Sequence, residues 1–144
     1  MRKLTRYCGI LMILFLSVVL SGCATTAGKA FETKESQVKL RSIQTRAFDT
    51  TDKKKMMQTV ISTLQDLDFV VDKADFMLGS ITGSKFLGHE VVTMTVIVRP
   101  RGEKQLLVRA NAQYGIKTVE DPETYQDFFT ALEKAIFLTA QQVD

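Results

Sequence analysis

Tryptophan is absent from this sequence, and cysteine and histidine are scarce: its 144 residues include two cysteines and one histidine. Cys8 and Cys23 both lie within or directly after an apolar stretch near the amino end. The rest of the chain therefore has no cysteine for a disulfide, a thiolate metal site or a nucleophile. His89 has no second histidine or usable cysteine nearby, so a zinc site there would need carboxylates for all its other ligands. The sequence instead places His89 in a polar turn and predicts neither a metal nor a cofactor. Long hydrophobic runs are missing too. The one from Cys8 to Leu20 is roughly a dozen residues, against the about 20 that a membrane-spanning helix needs, and no stop-transfer pattern follows it. Charge is nearly balanced, with 19 Lys and Arg against 16 Asp and Glu. The three excess cations, Arg2, Lys3 and Arg6, all precede Cys23, so the sequence beyond them is neutral and the pI of 8.9 does not mark a nucleic-acid binder. Tandem repeats and low-complexity tracts are absent as well.

What is present begins with the amino end. A basic start, an apolar core and the small residues Ser21 and Gly22 make a secretory signal over 1–22. Its last residues, Leu20-Ser21-Gly22-Cys23, resemble the lipobox of bacterial lipoproteins. The resemblance implies cleavage between Gly22 and Cys23, and acylation of Cys23 with palmitate-type chains at its thiol and amine. One chain binds a membrane only marginally, whereas several anchor a protein stably. Ala24 stands where lipoproteins of the enteric type carry Asp for inner-membrane retention, which implies the periplasmic face of the outer membrane. Residues 23–37 are small and polar and read as a linker, and 38–144 as one domain.

From Lys39 the patterns become regular. The run "KLRSIQTRAFD" alternates like a strand, although Ser42, Gln44 and Arg46 make one of its faces polar. In "DTTDKKKMMQTVISTLQDLDF", Met57, Val60, Ile61 and Leu64 recur every three or four residues, which predicts an amphipathic helix. Thr50 or Thr51 would cap it, Asp52 suits its positive end, and Asp68 suits a left-handed stop. Short strands are expected at "FVVD" and "LGSITGSKF", with Lys73 to Met77 connecting them. "EVVTMTVIVR" and "QLLVRANAQY" alternate clearly and flank the turn "PRGEK", so they form an antiparallel hairpin. Asp121 and Pro122 begin a last helix whose stripe is Tyr125, Phe128, Phe129, Leu132 and Ile136. The order β-α-β-β-β-β-α predicts an α+β fold: a single, mostly antiparallel sheet of about five strands with two helices on one face. This topology resembles the TATA-box-binding-protein-like and helix-grip folds of envelope lipoproteins. The resemblance implies a place in envelope assembly and brings no motif with it.

Catalytic patterns fail on inspection. "GSITGSK" has three residues between Gly79 and Gly83 and Ser84 before Lys85, so it lacks the spacing and the helix of a phosphate loop. Ser36 and Lys39 have the spacing of a serine-lysine pair at a linker's edge, with nothing to bury the lysine. Glu120, Asp121, Glu123 and Asp127 suit a helix start and lack an EF-hand pattern. Two surface features remain. With Val92, Met94, Leu106 and Val108 facing the helices, the residues Thr93, Thr95, Ile97, Leu107, Arg109, Asn111 and Gln113 share the other face and form a candidate interaction surface. Lys53, Lys54 and Lys55 oppose the helix dipole and form a candidate basic patch for anionic headgroups or an acidic partner. The expectation is thus a non-enzymatic, membrane-anchored accessory or scaffold with envelope-protein partners and no nucleic acid. The alternative is a carrier or sensor for a lipid or small apolar ligand, walled by Met94, Phe128 and Phe129.

Overall fold

A computed structural model describes residues 37–141. The chain divides into two units between Val38 and Lys39, and the second, Lys39–Asp144, holds every strand described below. Cys8, Gly22, Cys23 and the expected linker up to Ser36 lie outside the described residues, and Gln37, the linker's last residue, is helical.

Residues 37–43 are helical, followed by β1 (Thr45–Phe48), α1 (Lys53–Asp66), β2 (Val70–Asp75), β3 (Ser80–Leu87), β4 (Glu90–Arg101), β5 (Gln105–Tyr114), β6 (Lys117–Thr118) and α2 (Pro122–Gln141). The strands form one antiparallel sheet in the order β1-β5-β4-β3-β2, and β6 pairs the far end of β5. The fold is α+β, with its helices on one face of a single sheet. Met94, Val96 and Val98 of β4 and Leu106, Val108, Ala110 and Ala112 of β5 are buried in the same cluster as Met57, Val60 and Leu64 of α1 and Tyr125, Phe128, Phe129 and Leu132 of α2. Each of these large apolar side chains contributes about 1.5–3 kcal/mol by leaving water. Phe128 and Phe129 meet edge to face, with ring centroids 5.1 Å apart.

The segment before β1 departs from expectation. Residues 37–43 are helical where the alternation predicted strand from Lys39, and only Thr45–Phe48 pairs in the sheet. Leu40 and Ile43, one helical turn apart, both pack against the core, while Lys39, Arg41 and Ser42 stay exposed. Leu40 and Ile43 would lie on opposite faces of a strand, whereas a helix puts both against the core. Part of its supposedly polar face, Gln44 and Arg46, turns inward. Gln44 is 2 % exposed and Arg46 lies 4.9 Å above the Phe129 ring while bonding Glu133 at 2.7 Å. Two further differences are small. The N-cap of α1 is Asp52, whose Oδ1 accepts from the Lys55 N–H at 2.8 Å, rather than Thr50 or Thr51. β2 runs on to Asp75, with a bulge between Val71 and Lys73, so the turn begins at Phe76. Asp68 has φ 65 and ends α1 as expected, and Asp121 accepts from the amides of Glu123 and Thr124 at the start of α2.

A polar seam closes the sheet between β1 and β6. β5 gives one edge wholly to β4, so β1 and β6 share its other edge and leave a gap near Ala112. The Tyr125 hydroxyl fills it. It accepts from the Ala112 N–H at 3.3 Å and from Gln44 Nε2 at 3.0 Å, and it donates to the Val119 carbonyl at 2.6 Å. A buried donor without a partner is costly, so a fully buried tyrosine serves here as a side-chain extension of the ladder.

Candidate functional site

The face of the sheet away from the helices is built by the alternation of β4 and β5. Thr93 lies opposite Gln113, Thr95 opposite Asn111 and Ile97 opposite Arg109. These six residues line one shallow recess of about 220 Å³. Six of the seven residues expected to share this surface are therefore brought together. The seventh, Leu107, pairs with Ala47 and Arg99 beyond the recess on the same face.

β3 adds a third row. Ser80, Thr82 and Ser84 stand beside Ile97, Thr95 and Thr93, giving a three-by-three grid without an acidic residue. The Thr82 and Thr95 hydroxyls are 3.3 Å apart and Ser84 donates to Asp72 at 2.6 Å. Gln44 donates to the Asn111 side-chain oxygen at 3.4 Å, which leaves the Asn111 amide as the group available to the recess. Arg109 is exposed, and among the described residues neither ion pair involves it. Ile97 is 41 % exposed beside it. The surface thus offers hydroxyls, carboxamides, one free guanidinium and one apolar contact. The β3 row was missed in the sequence, although its signal was there: Ser80, Thr82 and Ser84 alternate through "SITGSK" just as Thr93 and Thr95 do through β4.

In comparisons with known proteins, the chain matches no family model and no curated protein. The functional reading therefore rests on geometry and sequence.

The three lysines border two recesses. Lys53 is half-buried, donates to the Met77 carbonyl at 3.1 Å, and with Lys54, Met57 and Phe76 lines a recess of about 410 Å³. Lys55 instead borders a second recess of about 250 Å³, together with Asp49, Thr50, Asp52, Met56, Thr59 and Ile136. His89 is exposed in the β3–β4 turn, and no cluster of three or more His, Cys, Asp or Glu suited to a metal occurs among the described residues. Met94, Phe128 and Phe129, the expected walls of a ligand cavity, are 1 %, 0 % and 0 % exposed and pack as core.

Proposed function

We propose that the chain is a lipoprotein tethered through acylated Cys23 to the periplasmic face of an outer membrane, where its α+β domain serves as a non-catalytic accessory or scaffold of a cell-envelope complex. The tether follows from the likeness of Leu20-Ser21-Gly22-Cys23 to a lipobox. The observation that carries the scaffold reading is the open grid on the sheet. Hydroxyls and carboxamides at strand spacing can bond a partner's polar groups, Arg109 can take a carboxylate in a charge-assisted pair, and Ile97 supplies apolar contact. Solid packing of Met94, Phe128 and Phe129 favours the scaffold over a carrier that would hold its ligand between sheet and helices.

The test has two arms. Intact mass and membrane fractionation of wild type beside Cys23→Ala address the tether: wild type carries acyl mass and sediments with membranes, and the variant does neither. A soluble, unacylated wild type removes the tether. Photocrosslinking from Thr95 in the intact envelope addresses the face, with Arg109→Glu as the interfering change. Defined envelope proteins captured from Thr95 and lost with Arg109→Glu support the scaffold, whereas the absence of any protein adduct refutes it.

A further inference from the structure

The β2–β3 turn presents three consecutive large apolar side chains to solvent. Phe76 is 46 %, Met77 91 % and Leu78 73 % exposed. Turns of this kind ordinarily use Gly, Asn, Asp or Ser, so this composition has no local explanation. Nor is the exposure that of a loose loop, because four hydrogen bonds hold the backbone from Met77 to Gly79. The Leu78 N–H donates to Asp75 Oδ1 at 2.9 Å, the Gly79 N–H to the Asp75 carbonyl at 2.8 Å, Lys53 Nζ to the Met77 carbonyl at 3.1 Å, and the Val98 N–H to the Gly79 carbonyl at 2.7 Å. Gly79 has φ +73, and a Cβ there would strike the Val98 carbonyl oxygen. The turn is fixed so that its side chains point out.

Cations outnumber acids around it: Lys53, Lys54, Lys55, Arg99, Arg101 and Lys104 stand against Asp49, Asp52, Asp75 and Glu103 at this end of the sheet. Lys53 and Lys54 line the recess beside Phe76, and the Gly79–Val98 bond places the turn next to the part of β4 that carries exposed Arg99 and Arg101. The only ion pairs of the described residues, Arg46–Glu133 and Lys85–Asp68, involve none of these cations. Of the acids there, Asp52 and Asp75 are turned back onto backbone amides and Asp49 onto the Gln105 side-chain amide, which leaves Glu103 as the acid without such a bond among the described residues. Phe86, Leu87 and Ile116 are also exposed at the other end of the sheet, but Glu90 and Lys117 there are of opposite sign.

We propose that this end of the domain docks on an anionic lipid surface, with Phe76, Met77 and Leu78 entering the headgroup–acyl boundary and Lys54, Arg99 and Arg101 taking lipid phosphates. An apolar wedge flanked by cations on long stems fits that interface, where the stems lie along apolar surface and the charges reach phosphate. The inference deepens the membrane reading but is drawn from another part of the chain. Docking would lay the domain on the membrane that holds its tether.

The test uses the full chain with Met77→Cys, labelled with an environment-sensitive dye, on phosphatidylcholine vesicles with and without phosphatidylglycerol. His89→Cys, at the opposite end of the sheet, is the control. The expected result is a blue-shifted Met77 signal, quenched by nitroxide lipids, on anionic vesicles only; it weakens with salt or with Lys54→Glu/Arg99→Glu, while the His89 signal stays unchanged. An unshifted Met77 signal, or equal shifts at both positions, overturns the proposal. So does a shift that needs membrane proteins rather than lipid, which would assign the wedge to a protein partner. Failure of the tether is seen separately: an unacylated Cys23 takes a second dye, visible by mass, and the vesicle measurement is then repeated on Cys23→Ala/Met77→Cys.

Discussion

Removing one oxygen atom from Tyr125 tests the polar seam. Tyr125→Phe keeps the ring in its fully buried place and takes away the hydroxyl that joins three groups. The Ala112 N–H loses the partner that stands in for a strand, the Val119 carbonyl loses a 2.6 Å donor, and Gln44 keeps only its 3.4 Å bond to Asn111. Ala112 is 0 % and Gln44 2 % exposed, so water reaches neither without opening the edge of the sheet. Each stranded buried group costs about 1–3 kcal/mol, and Val119, only half-buried, falls at the low end. The sum is about 2–4 kcal/mol of a total that is about 5–15 kcal/mol for a typical domain. For a domain of this size that is a fall in Tm of roughly 10–25 °C. Urea and thermal unfolding followed by circular dichroism measure it, with Tyr114→Phe as the control, since Tyr114 is 40 % exposed and outside the seam. A Tyr125→Phe protein within about 0.5 kcal/mol of wild type would refute the argument that this hydroxyl completes the ladder.

Three further outcomes follow from the same contacts. Gly79→Ala strains a left-handed residue and drives its Cβ into the Val98 carbonyl, so a loss of about 1–3 kcal/mol is expected in urea unfolding, together with altered dye response at Met77. Asp52→Ala removes the acceptor for the Lys55 amide beside three uncompensated lysines, and costs about 1 kcal/mol while Asp52→Asn retains most of it. Glu133→Ala breaks a 2.7 Å ion pair whose partners are 36 % and 52 % exposed, so it changes stability by no more than about 1 kcal/mol, and a larger loss would show that Glu133 is needed to hold Arg46 over Phe129.

Much of the candidate site was legible because a strand's faces alternate with period two. Once Val92 and Met94 point inward, Thr93 and Thr95 must point outward, and the turn at Gly102 puts Arg109 and Asn111 across from Ile97 and Thr95. The same local logic yields the α1 stripe, the left-handed Asp68 and the Asp121 cap, each decided within a few residues of chain. The reading failed before β1: Leu40 and Ile43 share a face in a helix but fall on opposite faces of a strand, so their spacing already favoured the helix that packs both against the core.

Sequence alone determined the kinds of most elements, the inward and outward faces of β4, β5 and the two long helices, and the candidate lipidation motif, since these depend on near neighbours. Tertiary structure decided the rest. It set β1 beside β5 across the chain, so that Gln44 meets Tyr125 81 positions away. It also joined the β3 hydroxyls to those of β4, set Lys55 on a different recess from Lys53 and Lys54, and braced an apolar turn with a lysine from α1. Those arrangements depend on which sheet edges and side chains find partners at long range, a choice made by burial of the whole core that no short stretch of sequence encodes.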